Sequence, residues 1–134
     1  MPVSVDPGAA KRQAIGRRGE ALARRYLESR GCTVVGENVR LGKKEVDLIV
    51  RDGRDLVFVE VKTRSGVDFG TPEEAVTRRK LQLLERAMAL YLRQHRDERR
   101  VRLDVVAIVW PGPDRRPTLR HYRAVGDGGT LAFL

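Results

Sequence analysis

One cysteine, Cys32, stands among 134 residues. A single thiol excludes an intrachain disulfide and any zinc site built from several cysteines, and it suits a reducing cytoplasm. Long apolar runs are missing too. No stretch approaches the ~18 apolar residues of a membrane span, and the opening MPVSVDPGAAKRQ has no apolar core of signal-peptide length, so a soluble cytosolic protein is expected. Aromatic residues are scarce, at 5%, and no run of them interleaves with basic residues, which argues against a surface built to stack RNA bases. The chain also lacks low-complexity tracts and internal repeats.

What is present is charge on an ordinary globular background. Hydrophobic residues make up 41% and charged residues 34%, so one core can be buried within one domain. Lys and Arg number 27 against 18 Asp and Glu, giving +9 and a pI near 10.6. That balance favours a polyanionic partner, nucleic acid first. Arginine-rich composition alone is weak support, because neither half of the chain concentrates the excess.

Periodicity orders the elements. Residues 1–8, with two prolines and a glycine, read as a flexible lead, and 9–134 as the domain. Ile15, Leu22, Ala23, Tyr26 and Leu27 recur at helical spacing from Ala9 to Arg30, with Gly31 as the stop. Glu20 lies on the Ala23 and Leu27 side of that helix, where a carboxylate borders the buried stripe. Cys32–Val35 reads as a short strand followed by a loop around Gly36 and Asn38. Glu45–Val50 and Leu56–Thr63 read as strands joined by a turn at Asp52 and Gly53. Thr71, Pro72 and Glu74 signal the start of one long helix running through Tyr91. Val101–Trp110 and Leu119–Val125 supply two further strands, giving the order αβββαβ with one added strand, an α/β class.

The chemistry-bearing pattern lies in the two middle strands. By period-two alternation Glu45, Asp47 and Ile49 share one face of the first, with Val46, Leu48 and Val50 on the other. In the second, the stripe Leu56, Phe58, Glu60, Lys62 and Arg64 turns abruptly from apolar to charged. If the strands pair through the Asp52–Gly53 turn, Asp47 and Glu60 stand side by side. Magnesium takes oxygen ligands, commonly one or two carboxylates with waters and substrate phosphate. Phosphodiester hydrolysis also needs a positive group near the developing charge, and Lys62 is placed to supply one. Nearby carboxylates keep such a lysine charged and burial lowers its pKa, so the sequence allows either a base or an electrostatic stabiliser.

The Asp47 … Glu60-x-Lys62 spacing, after a helix carrying Glu20, resembles the PD-(D/E)xK nuclease superfamily. AIGRRGEALARRYLESRG, EVDLIVRDGRDLVFVEVKTRSG, TRRK and RLDVVAI resemble the small bacterial YraN family, which is uncharacterised but similar to Holliday junction resolvases. The resemblance covers the chain from about Ile15 onward. It implies a restriction-endonuclease-like fold with a mixed central sheet flanked by helices. It also implies Mg2+ or Mn2+ ligation by Asp47 and Glu60, with Glu20 as an outer ligand, Glu45 beside them and Lys62 catalytic. The implied activity is endonucleolytic hydrolysis of DNA, branched or junction DNA included, and dimeric resolvases suggest a homodimer. Lys44, Arg64, Lys80 and Arg17 are the expected phosphate contacts. Two positions depart from the pattern: Val46 replaces the proline of the PD pair, and Lys44 replaces a glycine, so the approach to the strand is expected to differ.

Each residue also has a plainer reading. Glu60 and Lys62 could form an exposed salt bridge, and Glu20 could pair with Arg24 four residues on. Asp104 and Arg102 are expected to form a structural ion pair in a buried strand. His95 and His121 have no second ligand at metal spacing and are assigned nothing. Two other classes fit the composition: a DNA-binding or scaffolding protein keeping the fold without chemistry, and a small RNA- or ribosome-associated protein.

Overall fold

The first helix, α1 (Pro7–Ser29), begins two residues before the expected start, with a proline in its first turn where no intrahelical N–H is needed. This computed structural model describes residues 7–66, 68–70, 72–126 and 131–132; the rest of the expected lead, residues 1–6, lies outside them. Gly31 ends α1 as anticipated. Its φ is +92°, its N–H meets the Glu28 carbonyl at 3.0 Å and the Cys32 N–H meets the Leu27 carbonyl at 3.0 Å, the paired closure of a Schellman cap.

Strand β1 (Thr33–Leu41) is longer than its apolar start suggested. Gly36 and Asn38, expected in a loop, lie within it. One extra residue between Val34 and Gly36 shifts the pairing with β2 (Lys44–Asp52), and Asn38 takes a positive φ of 48° that asparagine tolerates better than most residues. The turn at Gly53, φ +60°, joins β2 to β3 (Asp55–Arg64) in antiparallel register, Asp52 opposite Asp55 and Ile49 opposite Phe58.

The expected long helix is two. α2 covers only Pro72–Ala75; Thr77 then leaves helical geometry and caps α3 (Arg78–Gln94), its hydroxyl accepting the Lys80 N–H at 3.3 Å. Two start signals six residues apart compete, and the second one caps the longer helix; Thr71, the expected cap, lies outside the described residues.

β4 (Arg100–Val109) runs parallel to β3, β5 (Thr118–Tyr122) pairs antiparallel beyond it, and the two-residue β6 (Leu131–Ala132), not foreseen, pairs with the start of β4. The sheet order is β1-β2-β3-β4-β5, mixed, as expected for a restriction-endonuclease-like core. Its two faces bury separate clusters. Ile49, Leu56, Phe58 and Leu103 meet Leu84, Ala87 and Met88 of α3, while Leu48, Val50, Val57, Val59, Val106 and Ile108 meet Ala23 and Leu27 of α1. Each fully buried Leu, Ile or Phe contributes roughly 1.5–3 kcal/mol.

At the hairpin end of the sheet, the expected Arg102–Asp104 pair is the centre of a larger network. Arg102, 4% exposed, donates to Asp104 Oδ1 at 3.0 Å, Asp55 at 2.8 Å and Asp52 at 2.7 Å. His121, assigned nothing from the sequence, bridges Asp104 at 2.8 Å and the Tyr26 hydroxyl at 3.0 Å. Asp104 also accepts the Ala124 N–H, so this fully buried carboxylate is satisfied and ties β4, β5 and the β2–β3 hairpin together. His95 stacks on Tyr91 of the same helix, ring centroids 3.9 Å apart.

Candidate functional site

The opposite end of the sheet is where β2 and β3 part. Their ladder runs from Asp52 and Asp55 to Leu48 and Val59 and then stops, and Asp47 turns its carboxylate to the Val61 N–H at 2.8 Å. The alternation expected for β2 breaks at this point. Val46 does not share a face with Leu48 and Val50; it packs into the α3-side cluster with Ile49. A residue leaving its ladder switches the faces before and after it, and Asp47 sits at that switch. It is held by a backbone donor, not by cross-strand pairing.

Glu60 is 6% exposed, so the exposed Glu60–Lys62 pair is excluded. Its Oε1 faces the Lys44 ammonium at 3.3 Å, and its Oε2 is buried with no hydrogen-bond partner among the described residues. An orphaned carboxylate oxygen beside a second carboxylate is a strong demand for a cation or a water. Lys44, expected on the phosphate, is turned inward instead. It comes from the short turn at Gly42, where φ is +63°, and neutralises one side of the cluster.

Glu20 completes the group from α1. Arg24 pairs with Glu28 at 3.3 Å and Glu37 at 2.5 Å, so the surface-pair reading of Glu20 fails. Gly19 makes the approach possible. A β-carbon there would lie 1.9 Å from the Thr63 hydroxyl, so only glycine lets α1 settle on the end of β3 and carry Glu20 to Asp47.

The electrostatics follow from this crowding. Burial, then Asp47 and Glu45, raise Glu20 to about 7, and its carboxyl comes close enough to hydrogen-bond Asp47. Burial also raises Asp47, against the Val61 N–H and Lys44. Burial and the Asp47 charge raise Glu60, against Lys44 and Lys80. Lys62 is held below the ordinary lysine range by burial, with Lys80 and Arg64 acting in the same direction. Glu45 is exposed at the rim and acts on Glu20 and Asp47 through its charge.

An open cleft of about 770 Å³ runs along Lys62, Thr63, Arg64, Ser65 and Glu74. Arg64 donates to Glu74 at 3.4 Å on its wall. Lys80, in the first turn of α3, is close enough to act on Asp47, Glu60 and Lys62, whereas Arg17 is exposed on α1. That first turn carries Arg78, Arg79 and Lys80 and no acid, the reverse of what a helix N-terminus favours. Among the described residues no three His, Cys, Asp or Glu stand in an arrangement that could hold a metal by themselves. Two carboxylates, with water and phosphate completing the shell, is the mode hard divalent ions commonly use. Asp47 and the unpartnered Glu60 Oε2 fit that mode, with Glu20 behind them.

Because Glu20 is raised, its contribution to stability is full below about 4.5 and is lost as pH rises through about 7. Thermal melts in metal-free buffer should therefore show wild type losing stability across that window and Glu20→Gln losing less. Equal slopes for the two proteins would mean that Glu20 ionises as an ordinary surface acid.

A UPF0102 protein of Beutenbergia cavernae is 52% identical over 118 residues, 86% of this chain and 98% of that protein. One of Nocardia farcinica is 44% identical over 115 residues, 85% and 90% of the two chains. One of Solibacter usitatus is 52% identical over 97 residues, 70% and 74%. No helix among the described residues is long and apolar enough to cross a membrane. Residues 19–108, which hold Glu20, Asp47, Glu60, Lys62 and Lys80, match the uncharacterised protein family UPF0102, the YraN family, and the chain belongs to it.

Proposed function

We propose that this protein is a magnesium- or manganese-dependent endonuclease that hydrolyses DNA phosphodiesters, branched DNA included. The observation that carries the reading is the convergence of Glu20, Asp47 and Glu60 from α1, β2 and β3, with Glu60 Oε2 unpartnered and Lys62 two residues along the same strand. A divalent cation held by Asp47 and Glu60 would supply an acidified water and neutralise charge on the phosphate oxygens. The chain's own groups do the rest. Val61 N–H fixes Asp47, Glu20 takes or shares a proton at the edge of the cluster, and Lys62 places positive charge where the phosphate gains negative charge. Hydrolysis forms one P–O bond to water and breaks one ester P–O bond, the leaving oxygen taking a proton. Lys80 and the cations of the first turn of α3 attract the backbone.

The test is incubation with magnesium or manganese of four DNA shapes: junction, flap, single strand and duplex. Binding should show little sequence preference and fall steeply with salt. Glu20→Gln should weaken metal occupancy or cleavage less than Asp47→Asn does. A flat dependence of log affinity on log salt would remove phosphate contacts as the source of binding.

A second reading is favoured by one observation, the Lys44–Glu60 contact, since an ammonium already neutralises part of the cluster. In that reading the protein binds DNA without cutting it. Lys44→Gly separates the two: an endonuclease keeps or gains divalent-ion affinity when the competing ammonium is removed, and a binding protein gains no metal site.

A further inference from the structure

The cleft beside Lys62 does not end at Ser65. Ile15 and Ser65 line both it and a second, narrower slot of about 270 Å³, whose other walls include Arg18, Trp110, Pro111 and Pro113. Trp110 is fixed to the active end of β3, because its N–H donates to the Arg64 carbonyl at 2.7 Å, one step beyond the Arg64–Val109 register pair. The Arg18 guanidinium lies 5.0 Å from the centroid of the Trp110 ring. The indole N–H is buried and meets no acceptor among the described residues. No carboxylate among the described residues lines the slot.

An apolar slot with an aromatic wall, a guanidinium and no acid suits a flat ring attached to an anionic chain. Nucleobases stack on both indole rings and arginine planes, and an arginine beside them meets the backbone. Paired bases inside a duplex cannot present a face to such a slot. We propose that the Trp110–Arg18 slot receives an unpaired base of the DNA strand whose backbone passes Lys62, so the protein acts where a strand is single or branched. This proposal rests on the nuclease reading and narrows it to substrates with an unpaired base next to the cut phosphate.

Trp110 is the only tryptophan in the chain, so its emission reports on the slot alone. The experiment titrates the protein, with EDTA to prevent cleavage, with a single-stranded oligonucleotide, a flap duplex and a blunt continuous duplex. Anisotropy of labelled DNA follows binding, and intrinsic fluorescence follows Trp110. The single strand and the flap should quench the emission at saturation, and the blunt duplex should bind without doing so. Replacing the bases of the unpaired arm by abasic sites should weaken binding to wild type by roughly five- to a hundredfold, the range for losing one stacked base. Trp110→Ala should show the same loss on the normal flap and no further loss on the abasic one. The abasic comparison uses unaltered protein, so it stands even where Trp110→Ala fails to fold, and Arg18→Ala, an exposed change, gives a second variant. Normal binding with silent emission, or equal quenching by the blunt duplex, overturns the slot and leaves the nuclease reading standing. Absence of binding to any of the three DNAs overturns both.

Discussion

Lys62→Ala should keep divalent-ion binding and DNA binding and lose cleavage by roughly a hundredfold or more, the scale of removing one preorganised charge. The lysine reaches the end of β3 near Asp47 and Glu60 with its ammonium destabilised by burial and by Lys80 and Arg64, yet it lines the cleft next to the carboxylates. A group placed at that cost in charge repulsion has most to gain when negative charge develops on a phosphate in front of it. Single-turnover rates measured beside binding isotherms make the check. A variant that loses DNA affinity and rate by the same factor would assign Lys62 to ground-state binding instead.

The carboxylates should fail differently. Asp47→Ala and Glu60→Ala should lose metal binding and cleavage together, because each removes half of a two-carboxylate ligand set, and combining either with Lys62→Ala should cost little more than the first change alone. Both variants should remain folded. Burial raises both acids, and Asp47 raises Glu60, so in metal-free buffer above their titration range removing one of them should leave the melting temperature unchanged or higher. Calorimetry, cleavage and melting curves on the same preparations read all three. Additive losses in the double variants would mean that the acids and the lysine do not form one unit.

Much of this was legible in the sequence, for identifiable reasons. The element order follows from local periodicity, the α1 stop from Gly31, and the meeting of Asp47 with Glu60 from a two-residue turn that sets the register of β2 on β3. Glu20 was legible as a carboxylate beside Ala23 and Leu27 on a helix face. What escaped depends on chain segments distant in sequence or on competing local signals. Lys44 meets Glu60 across 16 residues, and spacing does not show which way a lysine turns. The face switch at Asp47 comes from a ladder that stops, which alternation in one strand cannot reveal. Thr71 and Thr77 both resemble helix caps, and the break between α2 and α3 follows from the second. No run of aromatics interleaves with basic residues, yet folding places Arg18 on Trp110 and Arg120 on Phe69, each pair far apart in the chain.

The most direct measurement is a calorimetric titration of manganese into the wild-type protein and into Asp47→Asn at neutral pH. That substitution keeps the shape of the side chain and removes its charge. Wild type should show one saturable site per chain, with protons released on binding because Glu20 is raised to about 7 and is partly protonated at neutral pH, and the variant should show no site. A wild-type protein that takes up no manganese, or a site that persists unchanged in Asp47→Asn, would contradict a metal centre on Asp47 and Glu60.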